Sequence, residues 1–113
     1  MHLKNFSLIE TAEASGKYVL SLAYDLSPVN ANMPSDQEQF ALAMNGKKMN
    51  IRKGDFLKFA DACGITRQIA EKLIKSLVKS APQWLEMCNE SLLPNELKDR
   101  LIKIITERAE TIK

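Results

Sequence analysis

Near the start of the chain, His2, Lys4, Asn5 and Asp25 have side chains suited to phosphate and metal chemistry. Asn5 and Asp25 stand at the open ends of a predicted hairpin, in which the β-capable stretches FSLIET and YVLSL flank a turn around Ser15-Gly16. Antiparallel pairing about that turn makes partner numbers sum to about 30, so an amide oxygen and a carboxylate converge. A hard cation such as Mg²⁺ takes oxygen ligands and keeps positions for water and phosphate. One amide oxygen and one carboxylate therefore suit a nucleotide-phosphate metal rather than a closed protein cage. On spacing alone, Asn and Asp at such positions are more often turn residues than ligands, and a histidine near a chain end is more often exposed than functional.

In protein kinases an Asn of the catalytic loop and an Asp beyond the next hairpin hold the metal ions, while a separate Asp five residues before the Asn orients the substrate hydroxyl. MHLKNFSLI followed by LAYDLSP resembles the catalytic loop and metal-binding segment of the HipA toxin-kinase family, whose loop runs D-x-H-x-K-N-F-S, with Met1 at the x after that Asp. The similarity continues through the NGKK turn, GDFLKFADACG, PQWLE and LPNELKDRLIKIITERA, and so spans essentially the whole chain.

The resemblance implies that Asn5 and Asp25 are metal ligands and that His2, Lys4, Asn5, Tyr24 and Asp25 face the nucleotide. It also implies Mg²⁺ and ATP as cofactors of the complete kinase, phosphate transfer to a protein Ser or Thr, and a bacterial toxin-antitoxin setting with an antitoxin protein as partner. The Asp expected before Met1, the phosphate-covering loop and the nucleotide-positioning Lys are not among these residues. Phosphoryl transfer depends on positioning and charge stabilisation. The expectation is therefore a kinase part with no catalytic residue of its own, inactive in isolation, binding neither Mg²⁺ nor ATP tightly alone, and partnered by an upstream kinase portion or subunit. The alternative is a non-enzymatic interaction module from a truncated or split gene, which binds other proteins or itself through bare apolar surface.

These residues must be positioned by an α+β, helix-dominated domain: two short β-hairpins followed by a small helical bundle, resembling part of a kinase C-lobe, over residues 1–113 as a single domain. LSPVNANMPSDQEQ reads as an irregular loop. Asn45-Gly46 predicts a type I′ turn, with Phe40 facing Ile51 and Leu42 facing Met49 across it. KGDFLKFADACG reads as a helix, with Phe56, Phe59, Ala60 and Cys63 on one stripe and Gly64 closing it in a left-handed cap. Thr66 suits an N-cap, and Ile69, Ala70, Leu73, Ile74, Leu77 and Val78 form the packing stripe of the next helix. APQWLEMCNESL is either a kinked continuation or a separate helix beginning at Pro82; the second reading is preferred. Pro94 opens the last helix, with Leu97, Leu101, Ile104 and Ile105 inward.

At 113 residues and net charge +2, bulk electrostatics argue for neither nucleic acid nor an anionic membrane. Lys72, Lys75 and Lys79 lack aromatic interleaving and read as a solvated face, so no direct nucleic-acid contact is expected. Trp84, Phe56 and Phe59 read as core residues, and Cys63 and Cys88 as buried reduced thiols, since no CxxC or disulfide spacing occurs. No apolar run reaches membrane-spanning length and the start lacks a secretory pattern, so no membrane association and a cytoplasmic location are expected. HExxH, GxSxG and Gly-rich phosphate-loop motifs do not occur, which removes sequence support for zinc hydrolysis, serine hydrolysis and independent nucleotide cradling.

Overall fold

The computed structural model describes residues 5–24 and 29–113. Its elements run β1 (Leu8–Glu10), β2 (Tyr18–Leu20), α1 (Val29–Asn32), α2 (Lys53–Ala62), α3 (Arg67–Glu90) and α4 (Asn95–Ile112). The fold is helix-dominated α+β. The first hairpin forms where the β-capable stretches lie, pairing Leu8 with Leu20, Ile9 with Val19 and Glu10 with Tyr18. This register is two positions from the expected one. The connection is held by the Thr11 N–H on the Lys17 carbonyl at 2.9 Å and by the Gly16 N–H on the Glu10 carboxylate at 2.6 Å.

The Asn45-Gly46 turn forms as expected, both residues having positive φ, 52° and 74°. Met44 and Lys47 exchange both backbone hydrogen bonds across it, at 2.8 and 3.0 Å. The ladder stops there. The Gln39 N–H instead reaches the Lys48 carbonyl, and the Ile51 N–H is taken by the Gln39 side chain at 3.0 Å. Ile51 thereby turns inward, while Leu42 and Met49 stay outside. The expected second hairpin is thus a turn with a single bridge. Between the two turns the predicted irregular loop contains one helical turn, α1, whose Ala31 is the most buried apolar residue among those described.

α2 ends as its sequence predicts: Gly64 has φ 73°, the Ile65 N–H bonds the Ala60 carbonyl and the Gly64 N–H bonds the Asp61 carbonyl. That pattern is the Schellman closure, in which glycine takes the left-handed position without a Cβ penalty. Thr66 stands at the N-cap of α3 in extended conformation, without a side-chain capping bond. α3 then runs unbroken through Pro82, correcting the expected separate helix. The physical reason is phase: Ala70, Ile74, Val78, Ala81, Leu85 and Cys88 keep one helical stripe across the proline, all buried or half-buried. Packing against α4, which folds back along α3, outweighs the hydrogen bond that Pro82 cannot donate. α4 starts after Pro94 and half-buries Leu97, Leu101, Ile104 and Ile105.

The core lies between α1 and α4 and between α2 and α3, around Ala31, Ile51, Ala60, Ala70, Ile74 and Ala81. Phe40 and Phe56 meet edge to face there, with ring centroids 6.3 Å apart. Phe59 and Trp84 are not core residues, being 50% and 36% exposed, and Cys63 is exposed with Cys88 half-buried. Each lies on a helical stripe wider than the neighbouring helices can cover. Among the described residues, no helix is long and apolar enough to cross a membrane.

Candidate functional site

The open end of the first hairpin is joined by two polar rungs. Ser21 donates its N–H to the Ser7 carbonyl at 2.8 Å, while the Ser21 hydroxyl accepts from both the Ser7 N–H and the Ser7 hydroxyl at 3.1 Å. Beyond it, the Tyr24 N–H donates to the Asn5 carbonyl and the Asn5 Nδ2 donates to the Tyr24 carbonyl, each at 3.1 Å. Asn5 is only 5% exposed. A buried amide must be hydrogen-bonded on both sides to avoid a desolvation cost. Donation by Nδ2 to Tyr24 fixes the amide orientation and leaves Oδ1 as the acceptor side.

The structure therefore brings Asn5 and Tyr24 together. Their pairing puts Asn5 against the residue that immediately precedes Asp25 in the chain. His2, Lys4 and Asp25 lie outside the described residues. Tyr24 is half exposed. The donor set suits a hard cation: an asparagine oxygen and an aspartate carboxylate are both oxygen ligands, with no sulfur or imidazole required. Among the described residues, no group of three His, Cys, Asp or Glu side chains is clustered for metal binding.

A second buried polar group, not anticipated from sequence, is Asp55, 6% exposed at the third position of α2. Its carboxylate accepts from the Arg52 N–H at 3.0 Å and from Lys47 Nζ at 3.0 and 3.4 Å, while Asn45 Nδ2 donates to the Asp55 carbonyl at 2.9 Å. The Arg52 N–H, followed by the Lys47 ammonium, holds the Asp55 carboxyl below the ordinary aspartate range. This cluster pins the Asn45-Gly46 turn to the start of α2. The legible signal was an acid three residues past a helix start, the position from which a carboxylate reaches back to the cap.

A cavity of about 540 Å³, which Asn5 does not line, lies between the 29–51 segment and α2, α3 and α4. Phe40, Ile51, Phe56 and Ile104 give it an apolar floor. Of the sequence-predicted site residues among those described, neither Asn5 nor Tyr24 lines it.

The chain matches no curated protein. The sequence profile of the HipA-like C-terminal domain family matches residues 1–85, most of the chain, and the chain belongs to that family.

Proposed function

We propose that this member of the HipA-like C-terminal domain family is the C-terminal part of a HipA-like serine/threonine protein kinase of a toxin-antitoxin system. It contributes Asn5 and Asp25 as oxygen ligands for Mg-ATP, with His2, Lys4 and Tyr24 beside the nucleotide. The observation that carries this reading is the buried Asn5 amide, bonded to the backbone of the residue before Asp25. When bound, Mg²⁺ would neutralise phosphate charge. The part played by the chain's own residues is to hold an amide oxygen and a carboxylate at one end of a hairpin. The Asp that orients the substrate hydroxyl and the phosphate-covering loop are assigned on this reading to an upstream kinase portion. Catalysis therefore depends on an upstream kinase portion, and the antitoxin is a partner of the assembled kinase. The site is cytoplasmic on this reading.

The test is nucleotide binding by complementation. Mg-ATP affinity is measured by calorimetry for the chain alone and after mixing with the upstream portion of a HipA-like kinase. The chain alone is expected to bind weakly and turn over no ATP. The mixture should bind, and Asp25→Ala or Asn5→Ala should weaken binding by roughly tenfold or more, about 1.4 kcal/mol. Binding that is indifferent to both substitutions would sink the metal-ligand assignment.

A second reading is favoured by the exposed apolar side chains of the hairpin and α3, among them Leu8, Tyr18, Leu20, Leu73 and Met87. On it, the chain is a protein-interaction module without nucleotide chemistry. Partner binding unchanged by Asp25→Ala, with no gain of ATP affinity on complementation, would mark that outcome.

A further inference from the structure

We propose that the cleft between the 30–39 segment and α4 is a binding site for a free α-amino acid with a large apolar side chain. Two cavities meet there, of about 540 and 310 Å³. Asn30, Asp36, Gln39, Ile104 and Arg108 line both, and so mark the boundary that the two share. The larger cavity lies in the size range of small-molecule sites, which are apolar chambers with a few polar groups that set orientation.

The four polar residues at that boundary offer acceptors on one hand and donors on the other. Asn30 gives its Nδ2 to the Asp36 carbonyl, which leaves Oδ1 as an acceptor. Asp36 takes the Glu38 N–H on Oδ1 at 2.9 Å, which leaves Oδ2 as a second acceptor. Gln39 takes the Ile51 N–H on Oε1 at 3.0 Å, and its Nε2 is thereby left to donate. The Arg108 guanidinium supplies the remaining donors.

Charge identifies the ligand. Lys48 and Glu38, also on the wall of the larger cavity, neutralise each other at 3.1 Å. Asp36 and Arg108 enter none of the ion pairs among the described residues. A simple anion would meet the Asp36 carboxylate, and a simple cation the Arg108 guanidinium. A zwitterion satisfies both, its ammonium facing Asp36 and Asn30 Oδ1 and its carboxylate facing Arg108 and Gln39 Nε2. Ile104, one helical turn before Arg108, leads from this boundary into the larger cavity, where Phe40 and Phe56 meet edge to face. That floor suits an aromatic side chain.

Calorimetry of the full chain at neutral pH with three probes of one apolar body separates recognition of the charged head from apolar adhesion. The probes are L-phenylalanine, phenylpropanoate, which lacks the ammonium, and phenylethylamine, which lacks the carboxylate. L-Phenylalanine is expected to bind saturably, and each single-charge analogue at least about tenfold more weakly. Arg108→Gln and Asp36→Asn should each weaken L-phenylalanine by a similar factor, and Asp36→Asn should also narrow its lead over phenylpropanoate. Asp36→Asn keeps an oxygen acceptor for the Glu38 N–H, and circular dichroism verifies folding in each variant. Absence of saturable binding, equal affinity for the three probes, or L-phenylalanine binding unaffected by either substitution would each overturn the proposal.

Discussion

Asp55 shows how one side chain joins two elements. Its carboxylate bonds the Arg52 N–H and the Lys47 ammonium, and its carbonyl takes the Asn45 amide. Because its pKa is lowered in the folded chain, the group adds stability that is present above the unfolded-state value near 4 and lost as pH falls through the folded value. Acid unfolding below about pH 4 should therefore be steeper in the native chain than in Asp55→Asn, followed by circular dichroism. Equal slopes would assign the join to the turn backbone alone. Asn5 supports a parallel test. Asn5→Asp retains a hard oxygen ligand but removes the Nδ2 donor to the Tyr24 carbonyl. The open end of the hairpin should loosen, with the Tyr24 amide exchanging its hydrogen roughly tenfold faster, a loss of about 1.4 kcal/mol of local protection. Unchanged exchange would show that the Ser7–Ser21 rung suffices.

Local chemistry at the scale of elements was legible wherever a single residue dictates backbone shape. Asn45-Gly46 and Gly64 take the left-handed positions that their types predict. At Gly46, Ala would meet no atom within 4 Å, so Gly46→Ala should cost about 1 kcal/mol from φ strain alone, read from a urea midpoint. The misreadings arise where packing overrides propensity. Pro82 argues locally for a break, yet the stripe through Ala81, Leu85 and Cys88 continues against α4 and carries the helix across it. Pro82→Ala restores the missing donor and should raise stability, by up to about 3 kcal/mol. A fall would mean that the proline shapes the helix to fit α4. Periodicity found the apolar positions of α3 but not which half is covered, because coverage depends on how many neighbours arrive. The first hairpin was placed correctly with its register off by two. The Asn5–Tyr24 pairing was thus half legible: the sequence showed that the two ends meet, whereas the residues that touch were fixed by the turn.

The whole molecule is loosely covered. Its Cα radius of gyration is 16.3 Å, against about 13 Å for a compact domain of this length. Among the described residues, four of the six buried apolar ones are alanines, and Ile51 is the largest fully buried side chain. Burial of small side chains yields little of the roughly 25 cal/mol per Å² that holds a domain together, while both faces of the first hairpin stay in water. Stability must then rest disproportionately on Ile51, which is held by the Gln39 side chain and lines the large cavity beside Phe40 and Phe56. Truncating a buried Ile to Ala typically costs about 2–5 kcal/mol, a large share of the 5–15 kcal/mol of an ordinary domain. Ile51→Ala should therefore populate unfolded chain at 25 °C, seen as a urea transition with no folded baseline, whereas Leu42→Ala, at an exposed position, should leave the midpoint nearly unchanged. If the two substitutions cost the same, the core is not centred on Ile51, and stability must come from the helix pair α3 and α4.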